Sequence, residues 1–208
     1  MNLASELWQT EQELAIASLN HPFVQGIGDG TLPKSKFAYY VGQDAFFLEA
    51  FARAYSIAAA KAPDWKGFEV FHNLANGVLE ELKLHHSYAA EWAVELSQVE
   101  AGSATRRYTD FLLATAWSQD VGVTTCAMLP CMRLYAFLGQ SLAKTTTSSH
   151  TYTDWIETYS SDDFKELATQ LGQLAEQYAQ MNASSHLVYH YAMQCELDFF
   201  EAAWQVNE

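Results

Sequence analysis

Basic residues are scarce in this chain. Eleven Lys and Arg stand against 25 Asp and Glu in 208 residues, a formal net charge of −14. Nucleic-acid binding needs a footprint of lysine and arginine, so the composition argues against a nucleic-acid partner, and an anionic membrane surface would repel the chain. Cysteine is sparse too. Cys126, Cys131 and Cys195 are odd in number and follow neither metal nor disulfide spacing, which predicts reduced thiols in a cytoplasm. No stretch is read as approaching transmembrane length. The segment from Met1 to Trp8 places an acid before any apolar run and has no basic leader, so no secretory signal is expected. Alternating strand patterns and Asn-Gly hairpin signals are also missing. The glycine-rich run Gly26-Ile27-Gly28-Asp29-Gly30 has no preceding strand and no following phosphate-binding lysine, so it reads as a turn and not a nucleotide cradle.

What the chain has in quantity is apolar residues, half of the total, recurring at three- and four-residue intervals nearly throughout. This predicts an all-α fold in one domain, residues 1–208, with about eight or nine helices. The expected spans are near 3–19, 22–28, 34–60, 64–98, 104–118, 121–143, 151–160, 162–181 and 184–206. Pro22, Pro33 and Pro63 fall at or near helix starts, where a missing amide is harmless. Pro130 alone falls inside a helix, where it removes a hydrogen bond near Cys126 and usually bends the axis. Cys131 follows it directly, and Tyr135 lies one turn later on the same face.

Two further polar groups sit on apolar faces. Asp44 has Tyr40, Val41, Phe47 and Leu48 as its helical neighbours, so its carboxylate must be compensated by a buried partner or a ligand. Glu201 lies between Leu197 and Trp204 and is expected to point inward, with Glu196 and Asp198 competing for the same role. A thiol with two inward carboxylates supplies a nucleophile, a group to take its proton, and an acid for the leaving side. Nearby carboxylates raise a thiol pKa, so activation would come from proton transfer during attack and not from a resting thiolate. Phe47, Tyr108, Tyr135 and Tyr159 are spaced to line a slot for a flat heteroaromatic ligand.

Asn20-His21-Pro22-Phe23, Gly30-Thr31-Leu32, Phe37 and Tyr40 ahead of Gln43-Asp44, Leu129-Pro130-Cys131 with Tyr135, Trp155-Ile156 with Tyr159, and Glu201 with Trp204 together resemble the TenA, or thiaminase II, family. The resemblance runs nearly the whole chain. It implies a heme-oxygenase-like helical bundle, a homotetramer, and no metal or heme cofactor. It also implies hydrolysis of aminomethylpyrimidine, its formylated precursor or thiamin to hydroxymethylpyrimidine for thiamin salvage. In that family the cysteine matching Cys131 is the nucleophile, the aspartate matching Asp44 binds the amino-pyrimidine edge, and the glutamate matched here to Glu201 exchanges a ring proton. Tyrosines matching Tyr108, Tyr135 and Tyr159 line the pocket, and Phe47 stands where many relatives carry tyrosine.

Two other readings compete. Glu81 with His85, and His186 with His190, have the four-residue spacing of a metal-dependent oxidase of the same fold, and His21 is a weaker heme-ligand candidate. The other alternative is a pyrimidine-binding module without catalysis, against which Cys131 itself argues.

Overall fold

In a computed structural model of the chain, residues 2–146 and 148–206 are described, except for the side chains of residues 84–88. Ten α-helices occur among the described residues and no strand. They are α1 (Leu3–Thr10), α2 (Gln12–Leu19), α3 (Pro22–Asp29), α4 (Lys34–Lys61), α5 (Trp65–Glu91), α6 (Ser103–Ser118), α7 (Val121–Ala143), α8 (Thr153–Ser160), α9 (Asp162–Tyr178) and α10 (Ala183–Trp204).

Two boundaries differ from those the periodicity predicts. The first helix breaks at Glu11, whose backbone leaves the helical region at φ −109° and ψ 20°. The fifth ends at Glu91 and not near residue 98, because Ala93 takes a left-handed φ of 57° and Leu96–Gln98 form only a short 3-10 turn. The glycine-rich run is also not a simple turn. Its first four residues form the second half of α3, with Gly30 closing the helix at φ 78°, a conformation glycine adopts without steric cost.

The long central helix α7 is the axis of the fold. It continues through Pro130, is capped by Asp120 accepting from the Val123 amide, and is buried at every position from Val121 to Pro130. Contrary to the sequence reading, its length and hydropathy are those of a membrane-crossing helix, but 83% of its apolar window is buried against other helices of this chain. The packing of α7 against α8 depends on Gly139, where an added Cβ would lie 2.4 Å from the Tyr159 carbonyl carbon. That close approach carries Tyr159 into contact with Tyr135, ring centroids 4.8 Å apart. α4 packs along α5, α10 packs on α7, and α4 touches both α7 and α10, so four long helices bring their inner faces to one place.

Candidate active site

Along α4 the side chains at 44, 47, 48, 51 and 55 follow a three-one-three-four spacing that keeps them on one helix face, and they form one wall of a cavity of about 480 Å³. Helices α5 to α10 supply the remaining walls. The predicted residues Asp44, Phe47, Tyr108, Cys131, Tyr135 and Tyr159 all line this cavity. Glu201 does not. Its side chain is 49% exposed, accepts from His21 Nε2 at 2.8 Å, and is bonded by Gln205.

The carboxyl group that α10 delivers to the cavity is Glu196, which is 2% exposed. Tyr108 donates to its Oε1 at 2.7 Å. The local sequence holds the signal for this. One turn either side of Glu196 lie Ala192, Met193, Phe199 and Phe200, all apolar and all buried, whereas Glu201 has Asp198 and Gln205 among its neighbours. Asp198, the third candidate, pairs with Arg107 outside the cavity lining.

Burial sets the protonation states. Asp44 is pushed up to about 7 by loss of solvent. Glu196 is pushed up to about 8 by the same cause, with the Asp44 charge adding and the Tyr108 hydrogen bond opposing. Cys131 is raised well above the ordinary thiol value, first by desolvation and then by Glu196, Asp44 and Glu81. The resting sulfur is therefore a protonated thiol, and Glu196 carries a proton for much of its population near neutrality. Glu201, by contrast, is held below its usual range by the Gln205 and His21 hydrogen bonds.

The aromatic walls have a fixed arrangement. Phe47 lies 4.9 Å from Tyr108 between ring centroids, and Tyr159 meets Phe164 edge-on at 4.8 Å. The Trp155 indole donates to the Tyr40 oxygen at 3.4 Å, and Tyr40 donates to the Tyr135 oxygen at 3.2 Å. With Tyr40 donating, the Tyr135 hydroxyl accepts in this bond and keeps its own proton to donate.

The metal readings gain no support among the described residues. Among the described residues no group of three or more His, Cys, Asp or Glu is placed to hold a metal ion. His190 is exposed and pairs with Glu11 at 2.8 Å, and the His85 side chain lies outside the described residues. His21 caps α3: its Nδ1 accepts from the Phe23 amide, so its Nε2 carries the proton donated to Glu201 and both ring nitrogens are engaged.

A helical bundle enclosing a thiol, two buried carboxyl groups and a ring of aromatics defines a class: a cavity protein for a planar, hydrogen-bonding heteroaromatic. The chain belongs to the TENA/THI-4/PQQC family, whose model matches residues 8–205. It is 36% identical over 185 residues to the aminopyrimidine aminohydrolase of Halalkalibacterium halodurans, covering 86% of this chain and 83% of that protein. It is also 36% identical over 227 residues to the mitochondrial bifunctional TH2 protein of Arabidopsis thaliana, covering 96% of this chain but only 37% of that protein. A TenA homologue from Pyrococcus horikoshii superposes with a TM-score of 0.91 over 99% of both chains at 24% identity. The heme-bound heme oxygenase-1 of Synechocystis superposes with a TM-score of 0.65 over 97% of this chain and 92% of that one at 18% identity. The fold is thus heme-oxygenase-like, as the sequence resemblance implies.

Proposed function

We propose that this chain is an aminopyrimidine aminohydrolase of the thiaminase II type, acting over its whole length as one domain in thiamin salvage. The observation that carries the reading is the convergence of Cys131, Asp44 and Glu196 on one aromatic cavity. The identity to proteins named aminopyrimidine aminohydrolase supports it.

The chemistry follows from the protonation states. Asp44 binds the exocyclic amino edge of the pyrimidine and accepts the Cys131 proton as sulfur adds to a ring carbon. Glu196, held by Tyr108 and protonated near neutral pH, donates to a ring nitrogen and makes the ring an electron sink. The amine, already protonated, then leaves the exocyclic methylene as ammonia. Water adds to that methylene and loses a proton to solvent, the ring nitrogen returns its proton to Glu196, and Asp44 gives its proton back to sulfur as the carbon–sulfur bond breaks, restoring the thiol and releasing hydroxymethylpyrimidine. Glu196 thus takes the role that the sequence reading gave to Glu201. Phe47, Tyr108, Tyr135 and Tyr159 hold the ring by stacking and edge contacts, with Phe47 contributing no hydroxyl.

Cys131→Ser is expected to lower ammonia release from aminomethylpyrimidine by about 10³-fold or more while product affinity stays within about threefold. Full activity in that variant would rule out covalent catalysis by this residue. The reading extends to a cytoplasmic homotetramer. Trp65, Trp117 and Leu187 are 71%, 72% and 67% exposed, apolar surface that self-association would cover. Light scattering at micromolar concentration is expected to return about four chain masses, and a monomer mass rejects the assembly.

A further inference from the structure

Tyr108 is the group through which α6 reaches the buried carboxyl of Glu196. It is 1% exposed, its ring lies 4.9 Å from that of Phe47 on α4, and its hydroxyl donates to Glu196 Oε1 at 2.7 Å. An O–H···O bond spans about 2.5 to 3.0 Å, so a slide of α6 by about 1 Å would break it. The position of α6 against α4 and α10 therefore matters to the state of Glu196.

Gln43 sets that position. It is the residue before Asp44 on α4, but one step of about 100° around the helix takes it off the cavity wall and toward the start of α6. It is 2% exposed, and both ends of its amide are engaged. Its Nε2 donates to the Glu100 carbonyl at 3.0 Å, while its Oε1 accepts from the Gly102 amide at 2.8 Å and from the Thr105 hydroxyl at 2.6 Å. α6 opens at Gly102 with no side-chain cap of its own. Such an acceptor ordinarily comes from a helix's own first residues; here α4 supplies it, and the two helices are locked together in the process. The partners need a donor and an acceptor on one side chain, which an amide offers and a carboxylate or a hydrocarbon does not. Thr105 and Tyr108 are three residues apart on one face of α6, so the residue that Gln43 holds lies one turn from the residue that bonds Glu196.

We propose that Gln43 is a positioning residue for the reaction, fixing α6 against α4 so that Tyr108 holds the Glu196 carboxyl in place for proton transfer. The role in catalysis rests on the aminopyrimidine reading given above, whereas the link from Gln43 to Glu196 stands on the hydrogen bonds alone. The Tyr108 bond favours the ionised form of Glu196, so loosening it raises the pH at which Glu196 gives up its proton.

The test titrates the isotope-labelled Glu196 carboxyl carbon by NMR, its signal assigned by its loss in Glu196→Gln, and follows ammonia release from aminomethylpyrimidine over the same pH range. Gln43→Met is expected to move the Glu196 midpoint upward by about 0.5 to 1 in pH and to carry the alkaline limb of kcat with it. Thr105→Val should move both in the same direction by less, and Thr105→Ser should restore the native values. Tyr108→Phe sets the ceiling, and adding Gln43→Met to it should give no further shift, because both changes act through one bond. If Gln43→Met does not fold, the contrast between Thr105→Val and Thr105→Ser decides. A native midpoint in the folded Gln43→Met chain, or in Thr105→Val where it must stand in, would leave Gln43 a structural tie only and overturn the proposal. An equal shift with and without the Tyr108 hydroxyl would overturn it too. If the native chain releases no ammonia, the aminopyrimidine reading and the role in catalysis fail together, while the Glu196 midpoints still decide the link from Gln43.

Discussion

Two glutamates five residues apart on α10 live in opposite surroundings. Glu196 faces inward among Ala192, Met193, Phe199 and Phe200, bonded by Tyr108, and is pushed up to about 8. Glu201 is half exposed, bonded by His21 and Gln205, and is held below the usual carboxylate range. Five residues at about 100° each turn the helix by about 140° beyond a full circle, enough to move a side chain from the core to the rim. The same chemical group holds its proton near neutrality in one place and is a half-exposed ion in the other. Position relative to the buried stripe decides which, because desolvation penalises the charged form and hydrogen-bond donors favour it.

The comparison breaks most visibly in catalysis. Glu196→Gln is expected to lower kcat about 10²- to 10⁴-fold, the usual range for removing a positioned acid, while Glu201→Gln stays within about threefold. Steady-state ammonia release from both variants measures the gap, and equal losses would dissolve the distinction. Next in size is the pH response. Loss of the proton from Glu196 above about 8 should make kcat fall on the alkaline side, a limb absent from Glu196→Gln and retained in Glu201→Gln. A limb of the same position in Glu196→Gln would assign that proton elsewhere.

Stability should separate the two as well, with opposite signs. Because the folded protein holds the Glu196 proton more tightly than the unfolded chain, stability from this group is highest below pH 4.5 and is lost as pH rises toward about 8. Denaturant titrations at pH 5 and pH 8 should show Glu196→Gln reducing that decline by about 2 kcal/mol. Glu201 is lowered, so its contribution is present above the unfolded carboxylate value and fades as pH falls through the folded one. The smallest expected effect is Glu201→Gln at pH 7. Removing this half-exposed pair with His21 should cost less than about 1 kcal/mol, and a larger loss would mean that His21 needs its partner to cap α3.

Much of this architecture was readable beforehand. Apolar spacing located most of the helices and Pro22 marks a real start, while the structure adds side-chain caps at Asn2, Asp120, Ser161 and Asn182. Cys131, Asp44 and the four aromatics were identifiable because reactive or ring side chains on apolar faces stand out locally. The break at Glu11 and the early end of α5 were not, since backbone dihedrals at a helix end answer to packing that one-dimensional periodicity does not record. The inward placement of Glu196 rather than Glu201 was written in the four flanking residues, but Leu197 and Trp204 made the Glu201 stripe look equally apolar. The outer end of the cavity left no pattern at all: Gly77, Tyr55 and Phe164 come from three helices and share nothing along the chain.

The sequence alone determined that this protein would be helical, acidic and built on a buried α7 with a thiol beside its proline, because those follow from composition and short-range spacing. Only the tertiary structure decided which carboxyl group meets that thiol and how far the cavity runs beyond it. The rotation of α10 against α7, and the backbone contact at Gly139, fix distances between residues far apart in the chain, and desolvation at that meeting point sets their protonation.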